Sequence, residues 1–161
     1  MSLRIIATGG TFDKQYDPLT GELIFGASAI PSALERARIT VPYQVESLMA
    51  LDSLDMLAPQ RQQICDACVY SKEAHIVIVH GTDTLRETAE VIGHAKLGKT
   101  IVLTGAMVPY RIDGSDAQFN LGFACAAAML CAPGVYIAMN GQVFAWHAVR
   151  KNRAAGIFEA C

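Results

Sequence analysis

The 161-residue chain lacks most of the features that would announce an unusual environment. It has no excess of positive charge: 13 Lys and Arg stand against 15 Asp and Glu, a net charge of −2. That balance gives no electrostatic reason to expect nucleic acid or an anionic membrane as a partner. No apolar run reaches membrane-spanning length. The longest candidate, Phe119 to Pro133, is short and Ala-rich and reads as a buried helix. No basic segment followed by an apolar core and a cleavage site opens the chain, so no signal peptide is expected. Cysteines are few and odd in number: Cys65, Cys68, Cys125, Cys131 and Cys161. Their irregular spacing argues against a secreted disulfide framework, and a cytoplasmic location is the expectation. Cys65-x-x-Cys68 has no second CxxC beside it, and His75, His80, His94 and His147 show no ligand spacing. No metal or other cofactor is therefore expected. The phosphate-loop, dinucleotide and G-x-S-x-G signatures are missing as well, which removes the common nucleotide-binding and serine-hydrolase readings.

What is present is a core. The chain is 52% hydrophobic and 17% charged, the balance of a globular domain. Apolar runs alternate with helical patterns. Strands are predicted at Leu3–Ala7, Gln44–Leu51, 75–81 ("HIVIVHG"), 99–105 ("KTIVLTG"), 134–141 and 142–149, the last two joined at Asn140-Gly141, a strong tight-turn signal. Helices are predicted from Ala29 to Arg38, from Pro59, from Asp83 or Thr84 to about Ala95, and after Asp116, whose side chain is the candidate cap of the last one. Residues 14–26 carry turn signals at Asp17-Pro18 and Thr20-Gly21 and read as a hairpin-like loop. The order specifies an α/β fold, a Rossmann-like three-layer sandwich with a mostly parallel sheet, in a single domain over residues 1–161.

In such sheets ligands bind beyond the carboxyl ends of the strands. The loops there share a composition: Thr8-Gly9-Gly10-Thr11, Asp52-Ser53-Leu54-Asp55, His80-Gly81-Thr82-Asp83-Thr84 and Thr104-Gly105-Ala106-Met107. Glycines let a ligand approach the backbone, with hydroxyls and carboxylates beside them, which suits a small polar ligand. A threonine hydroxyl becomes a nucleophile only when a base takes its proton. Asp83 and Lys151, read as lying just past the last strand, are the candidates. Each residue also has a plain structural role open to it: Thr11 in a turn, Thr82 and Asp83 at a helix N-cap, Lys151 in solvent. Spacing alone does not decide between these.

The segments "ATGGTF", "HGTDTLRETA", "TGAMVP", "SDAQFNL" and "MNGQVF…VRK" occur in this order and resemble the N-terminal domain of the bacterial-type L-asparaginases, over essentially the whole chain. The resemblance implies hydrolysis of L-asparagine to L-aspartate and ammonia through a β-aspartyl ester on Thr11. It assigns Tyr16, in the loop that would act as a lid, to polarise or deprotonate the Thr11 hydroxyl. Thr82, Asp83 and Lys151 become a second threonine centre, like Ser-His-Asp in logic. An adjacent carboxylate favours the ammonium form of a lysine, so Lys151 is expected as an organiser of Thr82 and as a base only in passing. Asp83 would also hold the substrate's α-ammonium and Ser53 its α-carboxylate, and Ala106 would offer its carbonyl to the leaving nitrogen. Backbone N–H groups around Gly10 and Gly81 would hold the oxyanion.

Three departures stand out. Long family members continue into a C-terminal domain, so the chain is more similar to the short, single-domain asparaginases. Leu54 replaces the Gln or Ser that often follows the binding serine. Tyr16 follows Thr11 more closely than in many long members. A homo-oligomer is expected, because "AAAML" and its apolar neighbours must be covered. Other readings use the same residues: a glutaminase or related amidase, including the amidotransferase type that works with tRNA, a domain of a longer amidohydrolase, or a module that binds asparagine or aspartate without turnover. The net charge argues against tRNA.

Overall fold

A computed structural model describes residues 1–161. Six strands form one sheet in the order β4-β1-β5-β6-β7-β8. They are β1 (Leu3–Gly9), β4 (Tyr43–Leu51), β5 (His75–Val79), β6 (Thr100–Thr104), β7 (Gly134–Met139) and β8 (Gln142–Ala145). All neighbours run parallel except β7 and β8, which form an antiparallel hairpin. Asn140 and Gly141 turn that hairpin with φ of 54° and 71°, the left-handed pair a tight two-residue turn requires.

The pleat sorts each strand's side chains between two cores. Ile5 and Ala7 of β1, Val77 and Val79 of β5, and Val102 of β6 face one way. They pack against α1 (Ile30–Arg36) and α4 (Ala117–Leu130). Ile6, Ile76, Ile78, Ile101 and Leu103 face the other way, against α2 (Ala58–Tyr70) and α3 (Leu85–Ala95). The result is the three-layer sandwich the alternating runs specify. Cys65 and Cys68 lie in the second core, where burial pushes the Cys68 thiol up to about 12.

The hairpin-like loop is a two-stranded antiparallel ribbon, β2 (Lys14–Asp17) and β3 (Glu22–Phe25), outside the main sheet. Its base is tied down: Lys14 Nζ donates to Asp52 Oδ2 at 2.7 Å, and the buried Asp13 carboxyl accepts from Ala29 N–H at 2.8 Å. Desolvation raises the Asp13 carboxyl above its ordinary value, against the pull of its hydrogen bonds.

Two expectations are corrected. The strand predicted at 142–149 ends at Ala145, and the chain then builds a second ribbon from β9 (Val149–Asn152) and β10 (Ile157–Ala160). Lys151 therefore sits within a strand, paired with Phe158, rather than beyond the last one. The buried side chains of Val149 and Phe158 anchor this ribbon to the core. The Asp116 side chain does not cap α4. It turns back to accept from Met107 N–H and Val108 N–H and from Asn120 Nδ2, fixing the loop after β6.

Candidate active site

From β1 the chain crosses to β4 on one side, then returns to β5 on the other. The strand order thus reverses between β1 and β5, and the crevice beyond their carboxyl ends is where such sheets bind ligands. The Gly10-Thr11 and Gly81-Thr82 turns meet there.

Glycines set how closely they meet. A Cβ on Gly10 would lie 2.4 Å from both Cα and N of Gly81, so the two turns pack backbone against backbone. A Cβ on Gly81 would lie 2.6 Å from Cβ and Oγ of Ser53, and one on Gly105 would lie 2.4 Å from the His80 carbonyl. Only hydrogen fits at these crossings. The four strand-end loops are therefore drawn into one cluster, which brings Thr11, Ser53, Thr82 and Ala106 together. Thr11 opens a single 3₁₀ turn over Thr11–Asp13, entered from Gly10 at φ 74°.

The second threonine is wired to its neighbours. Lys151 Nζ donates to Thr82 Oγ1 at 2.8 Å and to Asp83 Oδ1 at 2.9 Å. The Lys151 side chain is only 12% exposed, so this contact is well shielded from solvent. Arg153 stands at the rim, with a guanidinium nitrogen 3.9 Å from Asp83 Oδ1. Thr11 Oγ1, by contrast, has no hydrogen-bond partner in the protein. Tyr16 lies on β2 opposite Leu23, with its side chain 60% exposed and no hydrogen bond to Thr11. Ser53 is buried at 1% exposure. Its Oγ accepts from Thr84 N–H at 3.3 Å, while Thr84 Oγ1 donates to the Ser53 carbonyl at 2.7 Å. Ala106 is likewise buried. Leu54 is exposed beside Ser53.

Under the cluster lies a polar network that the sequence did not announce. His80 is fully buried. Its Nδ1 lies 2.8 Å from the Gly81 carbonyl, which can only accept, so Nδ1 carries the proton. Nε2 then accepts from Thr88 Oγ1 at 2.8 Å. Thr88 Oγ1 in turn accepts from Arg61, whose guanidinium also holds the Thr84 carbonyl and hydroxyl and the Met56 carbonyl. Desolvation, with the Arg61 charge adding to it, drives the imidazole down to about 4, so His80 is neutral at physiological pH. A trans peptide points its C=O and N–H in opposite directions. With the Gly81 carbonyl bound to His80, the Thr82 N–H faces away from the network, and it donates to no group of the protein. Only the strand-end His and the two threonines of α3's first turns hinted at this network, and Arg61 lies too far along the chain for spacing to connect it.

The site is thus a pair of hydroxyls at the ends of adjacent parallel strands, one of them held by a lysine–carboxylate pair. It contains hydroxyl, ammonium and carboxylate groups, and no group of three or more His, Cys, Asp and Glu side chains is arranged to hold a metal ion.

Known proteins share this sequence pattern and fold. The sequence matches the family described as "Asparaginase, N-terminal" over residues 2–158. It is 32% identical to a glutaminase-asparaginase of Acinetobacter glutaminasificans, over 91% of this chain and 48% of that protein. It is 31% identical to L-asparaginase 1 of Escherichia coli, over 74% of this chain and 38% of that protein. It is also 30% identical to one of the subunits of a glutamyl-tRNA(Gln) amidotransferase from Thermococcus kodakarensis, over 88% of this chain and 34% of that protein. The structure overlays on the solved thermostable L-asparaginase of Thermococcus kodakarensis with a TM-score of 0.87 at 27% identity, covering 99% of this chain and 51% of that one. The chain thus spans from a third to a half of the length of these relatives. With the whole domain matched, this chain belongs to the asparaginase family, to which its fold corresponds as the N-terminal domain.

Proposed function

We propose that this domain hydrolyses the side-chain amide of L-asparagine, giving L-aspartate and ammonia, with Thr11 as nucleophile. The observation that supports the reading is the Thr82–Lys151–Asp83 array, with bonds of 2.8 and 2.9 Å, set across the Gly10–Gly81 contact from the unengaged Thr11 hydroxyl.

In the first half-reaction Thr11 Oγ1 adds to the side-chain carbonyl carbon. The oxyanion that forms accepts from the N–H groups of Thr11 and Thr82, neither of which donates within the protein. Each such donor is worth about 3 kcal/mol to a developing oxyanion. Tyr16 polarises the Thr11 hydroxyl once the β2–β3 ribbon folds over substrate. The carbon–nitrogen bond then breaks, the nitrogen takes the proton from Thr11, and ammonia leaves. Water adds to the resulting ester, the Thr11 oxygen–carbon bond breaks, and Thr11 recovers a proton as L-aspartate departs. Lys151 holds Thr82 oriented toward the reacting centre, Asp83 receives the substrate ammonium, and the Ala106 carbonyl faces the leaving nitrogen.

A second reading exchanges the two threonines. It is favoured by one fact: Thr82, not Thr11, is hydrogen-bonded to a basic side chain. Ammonia release from L-asparagine, measured with Thr11→Ala and Thr82→Ala alongside, tests both. Each change is expected to lower the rate at least about a hundredfold, and intact mass on a quenched reaction locates the ester. An ester on Thr82 exchanges the roles. Ammonia release no higher than in the Thr11→Ala protein rules out hydrolysis. L-Glutamine is measured in parallel, since one methylene discriminates by only about 1–3 kcal/mol.

A further inference from the structure

We propose that Asp13 is a positioning residue: its buried carboxylate clasps the exit of the β2–β3 ribbon to its entry and so keeps Tyr16 within reach of Thr11. This rests on the hydrolase reading of the same site and adds to it what sets the ribbon in place.

Tyr16 acts from an element with little else to hold it. β2 and β3 pair only with each other, and Tyr16 and Leu19 are exposed. The direction of the ribbon is therefore decided where the chain enters it, at Asp13 and Lys14, and where it leaves, at residues 27–29.

The entry is rigid. Thr11, Phe12 and Asp13 share one 3₁₀ turn, in which Asp13 N–H donates to the Gly10 carbonyl at 3.3 Å. Phe12 is fully buried and stacks on Tyr110, whose N–H donates to the Phe12 carbonyl. Asp13 and Thr11 thus move together or not at all. Lys14 Nζ binds Asp52 Oδ2, and Asp52 Oδ1 accepts from Leu54 N–H, which joins the entry to the loop that carries Ser53.

The exit is held by Asp13. Oδ1 accepts from the N–H of Ala29, sixteen residues along the chain, at 2.8 Å. The Ser28 hydroxyl bonds the same carboxylate, and Ser28 Oγ accepts from Ile30 N–H at the start of α1. Arg111 steadies the residue before, donating to the Ala27 carbonyl at 2.8 Å. The groups that face Asp13 are all donors: Ala29 N–H, the Ser28 hydroxyl and, at longer range, the Arg111 guanidinium. A carboxylate, which only accepts, answers all of them. A carboxylate at 4% exposure is costly to bury, and no proton transfer of the reaction uses this one. Its geometry gives it the clasp as its use.

Amide exchange followed by NMR and kinetics on L-asparagine test the assignment. In Asp13→Ala the amides of Ala29 and of the Lys14–Phe25 end of the ribbon are expected to exchange at least about tenfold faster, with those of β1 and β5 unchanged. The kcat is expected to fall about tenfold. Tyr16→Phe lowers kcat about a hundredfold, and adding Asp13→Ala to it lowers kcat by no more than about twofold further, because the ribbon then has no hydroxyl to deliver. Asp13→Asn keeps an oxygen for Ala29 N–H and is expected to recover most of the kcat and of the protection. Faster exchange throughout the chain, or in no part of it, overturns the assignment. So does a kcat loss of the same size with and without the Tyr16 hydroxyl, the result if Asp13 serves stability alone. An equal loss in Asp13→Asn overturns it too, since charge rather than the clasp is then what Asp13 supplies. If Asp13→Ala does not fold, Ser28→Ala takes its place with a smaller shift in the same direction, and unaltered exchange and kcat in that variant overturn the assignment. Absence of ammonia from the unaltered protein, with exchange still faster at the ribbon's base, overturns the hydrolase reading and supports the clasp. Absence of ammonia with unaltered exchange overturns both.

Discussion

His80 shows how one side chain links stability to the site above it. It is fully buried and neutral, with its ordinary value near 6.5 pushed down to about 4 by desolvation and by Arg61. The unfolded chain therefore takes up a proton as pH falls below about 6.5, while the folded chain does so only near 4. The stability tied to this group is complete above the unfolded value and is lost as pH drops through that window. From pH 7.5 to 5 the loss is about 2 kcal/mol. Urea unfolding across this range checks it against His80→Gln, which has no proton to gain. The variant is expected to be less stable at neutral pH and to lose about 2 kcal/mol less on acidification. Equal pH slopes for the two proteins would show that His80 titrates normally. None of this was legible at position 80, because the shift comes first from burial under the folded chain and then from the Arg61 charge, which is distant in sequence.

At the scale of elements, the strand ends decide where the chemistry sits. The β-branched runs of β5 and β6 were readable because a strand covered on both faces has no polar alternation. Their loops were readable because a parallel sheet gathers its carboxyl ends on one side. The β9–β10 ribbon was not. The inward face of "VRKN" mixes Val149 with Lys151, and the chain turns through residues without an Asn-Gly signal, so only the burial of Val149 and Phe158 reveals it. Local signals thus placed the two threonine loops, while Lys151 needed the resemblance to be connected with them. The closeness of those loops is testable. Gly10→Ala puts a methyl into the Gly81 backbone at φ 74°, where neither chain segment can yield. Gly114→Ala is a control, since φ is 77° there with nothing within 4 Å. The control is expected to cost about 1–2 kcal/mol, the strain of the left-handed conformation alone. Gly10→Ala should cost at least about 2 kcal/mol more and abolish turnover. Equal melting temperatures for the two variants would mean that the turns are not in backbone contact.

At the scale of the molecule, one surface remains apolar. No helix of the structure is long and apolar enough to cross a membrane. Yet α4 has no charged residue from Ala117 to Leu130. Its inner side, with Leu121, Ala124 and Ala128, packs on the sheet. Its outer side exposes Phe119 at 62% and Leu130 at 84%, and Phe119 stacks on Phe123 at 6.0 Å between ring centroids. A helix apolar all round is normally a covered helix. Exposed aromatic and aliphatic side chains on one helix face are also what a symmetric pair of copies buries. We therefore expect self-association through this face. Light scattering on the unaltered protein should give a mass above the 17.3 kDa of one chain, and Phe119→Glu combined with Leu130→Glu should reduce it. The two substitutions lie away from the sheet, so circular dichroism should be unchanged. A single-chain mass for the unaltered protein would show that α4 stands uncovered in solution. A multiple that survives both charges would place the interface elsewhere, with the exposed Leu23 and Ile24 of the β2–β3 ribbon as the next surface to charge.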